Sequence, residues 1–444
     1  MTAPTYFLST LGCAKNQVDS EKVEVMLAEA GYAATDDASD ADIVMVNTCA
    51  FIEDARRESV ETILELDGQK RSDARTVVLG CMAQRFGVEV ENALPEVDAV
   101  LGLDRYGELV GTLDRMTSWH PVEVRRRPTM DILHVVDRPA SSTPFAYVKV
   151  AEGCDKPCTF CAIPLIRGKQ RSRRPIEIRT EVERLVGGGV SEVVLVAQDL
   201  AAFGRDLDDA PRKPTIVDLL ESLSEVDGLK RMRLLYLYPR EIRPELIAEM
   251  ADNPKVASYF DLSLQHSSTR LLRGMKRPGG RDKYLELTGI IRAAAPEAAL
   301  RSSFIVGFPG ETEEDFEELV SFVDEVRLDW GGFFPYSAEE GTPAAELEDM
   351  VPRDVVNERL RHLTALQEQI TEGNNLDTVG MIRDVLVDRV EDGIAVGRSY
   401  REAPDIDGLI RLDRGVPREW VRTEIVDVYG PDLEGRVVGG VAPS

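Results

Sequence analysis

Six times between residues 145 and 336 a short apolar run precedes an amphipathic stretch. The runs fall at 145–150, 192–196, 232–238, 260–264, 301–306 and 331–336. Strands joined through long helical connections must lie parallel, because antiparallel neighbours need only tight turns. Six such units predict a complete or partial (β/α) barrel, and barrels of this kind place their chemistry at the carboxyl ends of the strands. Reactive side chains are therefore expected just past each strand.

After the first strand stand Cys154, Cys158 and Cys161, a C-x3-C-x2-C pattern within AEGCDKPCTFCAIPLIRG. Soft thiolates this close together suit one iron–sulfur cubane. Three ligands for four irons leave one iron open to an exogenous ligand, which implies chemistry rather than electron storage. The competing readings are a zinc site with a borrowed ligand, or plain core thiols; no nearby His completes a zinc tetrahedron.

The first third alternates in the same way. Strands are expected at 6–11, 43–46 and 76–79 and helices at 20–30 and 54–66, giving a Rossmann-like parallel sheet covered by helices. Cys13, Cys49 and Cys81 each lie just past a strand end. In a parallel sheet all such ends share one edge, so the three thiols converge as a second three-cysteine cluster site, with Gly12, Asn16 and Gly80 suited to tight turns around it. The bland alternative is three buried apolar thiols.

The expected organisation is an α/β domain over 1–116, a linker over 117–143 with one strand at 132–135, and a barrel over 144–373. A helix at about 355–370 leads to a small antiparallel β-barrel over 374–444, with strands at 381–390, 393–397, 408–412 and 420–429. The chain has 444 residues and a net charge of -26, which disfavours a large phosphate-gripping surface and favours a basic partner. No apolar run is long enough for a membrane span, and residues 1–12 lack a basic n-region, so a cytoplasmic protein with reduced thiols is expected.

These motifs resemble the radical S-adenosylmethionine superfamily, and the N-terminal trio with a terminal small barrel resembles its methylthiotransferase branch. The matching phrases are Leu11-Gly12-Cys13-Ala14-Lys15-Asn16, Val46-Asn47-Thr48-Cys49, Glu152-Gly153-Cys154, Ile166-Arg167-Gly168 and Gly307-Phe308-Pro309-Gly310-Glu311-Thr312. Two subfamilies compete: one modifies adenosines of transfer RNA, the other an aspartate of small-subunit ribosomal protein number twelve. Leu264-Gln265-His266-Ser267-Ser268, Met275-Lys276-Arg277-Pro278-Gly279, Gly397-Arg398-Ser399 and Ala403-Pro404-Asp405-Ile406-Asp407-Gly408 resemble the second. From Asp377 onward there are 9 basic and 14 acidic residues, which suits a basic protein better than RNA.

The resemblance implies two [4Fe-4S] clusters, on Cys154, Cys158 and Cys161 and on Cys13, Cys49 and Cys81. It implies S-adenosylmethionine chelated to the open iron of the first, and sulfur carried at the second. Phe160 would pack on the adenine, and Gly307, Phe308, Pro309, Gly310 and Glu311 would approach the cofactor. Gln198 and Arg301 would be further cofactor contacts, and His266 either orients substrate or is structural. No catalytic residue beyond the cluster ligands is implied. The product would be a methylthio group on the aspartate β-carbon. Expected partners are the ribosomal protein, free or on the ribosome, and a flavodoxin or ferredoxin as electron donor, with no membrane and no nucleic acid contact except through the ribosome. The last barrel, TRAM-like, would recruit substrate. Rival readings are a transfer-RNA methylthiotransferase and, from another class, a non-catalytic iron–sulfur electron-transfer or binding protein.

Overall fold

The computed structural model describes residues 3–117, 131–208 and 212–440. The N-terminal sheet is parallel throughout, in the order Ala33–Ala34, β1 (Thr5–Thr10), β2 (Ile43–Thr48), β3 (Arg75–Leu79) and β4 (Ala99–Leu101). All six residues of β2 are buried, as a central strand covered on both faces requires. From β1 the chain steps outward to Ala33–Ala34 and then returns to the other side of β1. The strand order therefore reverses between β1 and β2, and such a reversal opens a crevice at the carboxyl ends. The segments at that crevice are Gly12-Cys13 and Thr48-Cys49.

The second series forms six strands: β5 (Phe145–Lys149), β6 (Glu192–Val196), β7 (Arg231–Leu234), β8 (Tyr259–Gln265), β9 (Ala299–Val306) and β10 (Trp330–Pro335). They group as β5-β6-β7 and β8-β9-β10, bridged by single parallel contacts at Leu237 with Leu262 and Met232 with Val256. No pairing closes β5 on β10 among the described residues. The expected run 232–238 stops as a strand at Leu234. Tyr236 has φ 64° and gives its N–H to Asp261 Oδ2 at 2.9 Å, so the backbone leaves the ladder there.

The expected strand at 132–135 is instead a 3-10 turn, Ile132–His134, because Asp131 caps it by accepting from the Leu133 N–H at 3.1 Å. Residues 118–130 of the expected linker lie outside the described residues.

Helix Arg353–Leu376 leads into the last barrel: β11 (Ile382–Glu391), β12 (Ile394–Arg398), β13 (Ile410–Leu412), β14 (Trp420–Tyr429) and β15 (Asp432–Gly440), closed in the order β11-β12-β13-β15-β14. It is not wholly antiparallel. The turn at Gly430 returns β15 between β13 and β14, where it runs parallel to β13. β15 itself was not expected, since its glycines weaken the strand signal.

The two flanking units plug the central barrel. One apolar cluster joins Val18 of helix Ala14–Glu29, Tyr147, Val194, Val196, Tyr259 and Trp330 of the central strands, and Ala403 from the terminal barrel. Polar contacts reinforce that floor. Tyr147 Oη donates to Pro404 O at 3.0 Å, Tyr259 Oη to Asp407 at 2.6 Å, and Trp330 Nε1 to Arg401 O at 2.7 Å. Beside them Glu192, fully buried at the start of β6, faces Arg233 (3.1 Å), Arg398 (3.2 Å) and Arg231 (3.6 Å). Without Glu192 these guanidiniums would face one another with Asp388, 2.6 Å from Arg398, as the one carboxylate still paired to them among the described residues. Breaking a buried pair from one side costs about 3–5 kcal/mol. Glu192→Ala should therefore lower stability by about that much in urea unfolding followed by Trp fluorescence, and a loss under about 1 kcal/mol would contradict the account.

Candidate active site

At the crevice edge, Gly12 has φ 88°, and a Cβ there would come within 2.7 Å of Cys49 Cβ. Only glycine lets the Cys13 turn lie against Cys49. Asn16 pins the two turns, donating from Nδ2 to Leu11 O (3.0 Å) and Thr48 O (2.9 Å), while its Oδ1 faces Cys81 Sγ at 3.5 Å. The three thiols are close enough to perturb one another. Burial raises Cys49, and Cys13 adds to it; burial pushes Cys81 up to about 12, with Cys13 and Cys49 adding and Arg167 opposing. At Cys13 burial also acts upward, but Lys15, Arg167 and two backbone N–H groups outweigh it and lower the thiol. All six cysteines are free thiols.

The second trio follows β5. A Cβ on Gly153 (φ 78°) would strike Lys169 O at 2.1 Å, so the loop closes on itself only with glycine there, and Cys154 N–H donates to Gly168 O at 3.1 Å. Thr159 N–H donates to Met275 O (3.2 Å) and its hydroxyl to Gly274 O (3.0 Å); Arg277 Nη1 lies 3.4 Å from Cys158 Sγ. Burial raises Cys154 and pushes Cys161 up to about 12, with the neighbouring thiols adding. Among the described residues no three His, Cys, Asp or Glu side chains close on a single ion. A cubane binds each thiolate at a different iron and needs them spread further apart. Soft donors offered in threes, buried or half-buried, and with cationic side chains beside them fit that group.

One buried ion network ties the first trio to the loop that carries the second. Arg167, 2% exposed along its side chain, contacts both oxygens of Glu152 at 2.8 Å, Asp19 at 3.1 Å, Asn16 Oδ1 at 2.5 Å and Cys81 Sγ at 3.2 Å. Lys149 binds Asp19 and, at 2.6 Å, Glu152. Burial would raise Glu152, but Arg167 and Lys149 hold it far below the usual carboxylate range. The motif Ile166-Arg167-Gly168 marked this arginine as part of the resemblance, but nothing in the sequence said that it reaches the first trio.

Gln198 joins the network by donating from Nε2 to Glu152 at 2.9 Å, while its Oε1 is buried with no partner. Phe160 is half-buried against the barrel core. The 307–311 segment is a strand-to-helix turn held from within. Gly307 (φ 79°) packs where a Cβ would meet Val356 at 2.4 Å, and its N–H binds Glu311 Oε2 at 2.7 Å. Glu311 Oε1 accepts from Arg359 at 2.7 Å, so this carboxylate serves the turn; Phe308 is buried against Tyr336, and Gly310 N–H binds Asp349 O at 2.6 Å. Pro309 completes the turn. Arg301 stands apart. It is the third residue of β9, roughly 20 Å of strand below Gly307, with its guanidinium on Asp261 (2.9 Å) and Asp407 (3.4 Å).

A loop after β10 ties these parts together. Ala344 N–H donates to Thr159 O at 2.9 Å, between two second-trio cysteines. Glu339, 2% exposed, binds Arg56 and Arg85 of the N-terminal domain, each at 2.5 Å.

Three family models match successive stretches: the uncharacterized protein family UPF0004 over residues 5–102, the radical SAM superfamily over 148–323 and the TRAM domain over 379–438. A protein of Anaeromyxobacter sp. (strain K), named ribosomal protein uS12 methylthiotransferase RimO, is 45% identical, covering 98% of this chain and 94% of its own length. The chain belongs to this methylthiotransferase family. A RimO of Acetivibrio thermocellus is 39% identical over 97% of both chains. Membership brings S-adenosylmethionine and a [4Fe-4S] cluster as cofactors of a transferase. Among solved structures, the radical S-adenosylmethionine methyltransferase TsrM from Kitasatospora setae, with cobalamin and a [4Fe-4S] cluster bound, shares the fold (TM-score 0.56, 16% identity, 77% of each chain covered). Among the described residues of this RimO-family chain, no helix is long and apolar enough to cross a membrane.

His266, fully buried just after β8, accepts the Ser268 N–H on Nδ1 at 3.0 Å, and its Nε2 makes no hydrogen bond but faces Glu311 Oε2 at 3.7 Å. Burial pushes it down to about 4. A His depressed in the folded state stabilises above its unfolded value of 6.5, and that contribution is lost as pH falls from 6.5 towards 4. His266→Asn should therefore melt progressively closer to the unmodified protein as pH drops through that window; a difference in Tm independent of pH would contradict the assignment.

Proposed function

We propose that this chain places a methylthio group on the β-carbon of an aspartate in ribosomal protein uS12, using two [4Fe-4S] clusters. The observation that carries the reading is the division of six free thiols into two trios joined by one buried network, each trio one ligand short of a cubane's four irons. When bound, the cluster of the second trio supplies an electron to cleave S-adenosylmethionine into a radical that can take hydrogen from an unactivated C–H bond, and the other supplies an anchorage for sulfur.

The chain's own residues then bind and shield. Cys154, Cys158 and Cys161 hold one cluster and Cys13, Cys49 and Cys81 the other. Gln198 Oε1 offers an unmatched acceptor for a donor group of S-adenosylmethionine. Phe160 offers an apolar face to its adenine. The backbone of Gly307, Phe308, Pro309 and Gly310 borders the same space, with Glu311 keeping that turn in shape. Arg301 acts at the barrel floor rather than on the cofactor. Arg167 and Lys149 neutralise Glu152 and Asp19, which fixes the shape of the loop that carries the second trio against the first.

The acidic terminal barrel is the recruiting surface for a basic ribosomal protein, free or ribosome-bound, and a flavodoxin or ferredoxin in the cytoplasm is the electron donor. Because that barrel also plugs the central one, charge reversal tests it better than deletion. Lysine at the exposed positions Glu391, Asp392 and Asp427 should raise KM for uS12 by roughly tenfold at low salt, fading as salt rises, with cofactor cleavage unchanged; an unaltered KM would reject recruitment through this face.

Replacing Cys13, Cys49 and Cys81 together by Ala should abolish methylthio product, read by mass spectrometry of uS12, while anaerobic reduction still releases 5'-deoxyadenosine. Product that survives the triple replacement would overturn the two-cluster reading. A thiomethylated adenosine in transfer RNA with unmodified uS12 would overturn the choice of substrate.

A further inference from the structure

The floor of the central barrel and the terminal barrel together enclose a cleft of about 870 Å3 on the side away from the cysteines. Its charge is opposite to that of the chain. Lys230, Arg231, Arg383 and Arg422 line it, against Glu297 and Asp384. Arg231 is already committed, donating to the main-chain oxygens of Ser399 (2.9 Å) and Asp384 (3.1 Å) and stacking 4.4 Å from Trp420.

Arg383 has no ion pair among the described residues, and only the Tyr400 ring, 5.8 Å from its guanidinium, lies against it as a π face. The arginine is 8% exposed, its Nη1 is buried with no hydrogen-bond partner, and its Nη2 reaches only Met381 Sδ at 3.7 Å. Glu402 and Glu297 act on it from a distance without pairing, and one Glu402 oxygen already accepts from the Ser399 N–H (2.8 Å) and hydroxyl (2.6 Å). Ser258 Oγ, lining the same cleft, is likewise buried without a partner. Lys230 and Arg422 have no ion pair among the described residues, which leaves three cations and a hydroxyl with unspent donors around one space.

Buried donors left unmatched are costly, and a cation more so. We propose that this cleft binds a phosphate group. Arg383 and Ser258 hold its oxygens at the bottom, and Lys230 and Arg422 offset its charge at the mouth. Donors arriving from both barrels suit a tetrahedral dianion with three free oxygens better than a planar carboxylate with two. The volume accommodates a nucleotide-sized ligand, and the net charge of -26 opposes a long polyanion track beyond it. A small free molecule and an RNA strand end carry the same phosphate chemistry into the cleft.

Calorimetry on the full chain with inorganic phosphate and, separately, a short single-stranded RNA as probes tests the site. At least one probe should bind, about tenfold more weakly to Arg383→Met, as loss of a charge-assisted hydrogen bond predicts. Binding of phosphate with or without RNA assigns a free ligand, and binding of RNA alone assigns a strand. Should Arg383→Met fail to fold, the surface double variant Lys230→Ala/Arg422→Ala decides by the same tenfold criterion. No binding of either probe, or full affinity in the folded variants, overturns the proposal.

Discussion

The salt-bridged knot of Arg167, Lys149, Glu152 and Asp19 is the constraint on which the rest of the upper molecule depends. Two cations and two anions removed from water are tolerable only together, since one left unmatched costs several kcal/mol. Asp19 comes from the N-terminal domain, whereas the other three come from the central barrel. The knot is therefore completed only when the two units dock, and docking fixes the N-terminal trio against the loop that carries the other. Arg167 extends the same arrangement to Asn16 and Cys81, so the place of the Cys81 thiol is tied to charge neutralisation.

A second buried set of charges governs the opposite end. Glu192 gathers Arg231, Arg233 and Arg398, and Asp261 with Asp407 takes Arg301. Glu192 with Arg398 and Arg301 with Asp407 cross from the central barrel to the terminal one and close its floor. The terminal barrel is thereby a structural member of the fold.

The strand ends were legible because period and spacing are local properties of the chain. Apolar runs such as 43–46 and 192–196 could be only buried parallel strands, and a parallel sheet brings Cys13, Cys49 and Cys81 to one edge regardless of their separation. What stayed hidden depends on contacts between distant segments. The ion pairs of Arg301 with Asp261 and with Asp407, more than a hundred residues away, left no trace in the local sequence. Glu311 looked available, yet Gly307 and Arg359 occupy it. The early end of β7 at Leu234 is set by Asp261 on the neighbouring strand, and the parallel pairing of β13 with β15 by a turn at Gly430. Residues 441–444 of the expected last barrel lie outside the described residues.

The central claim is that the chain carries two separate cluster sites, on loops tied together by one charge-neutral knot. Iron and sulfide analysis with Mössbauer spectroscopy on anaerobically reconstituted protein tests it most directly. Two separate sites predict iron for two cubanes per chain, and for one cubane after Ala replacement of either trio, with the remaining cluster spectroscopically intact. A single cubane in the unmodified protein, or loss of all iron on removing Cys13, Cys49 and Cys81 from a chain that still folds, would contradict it.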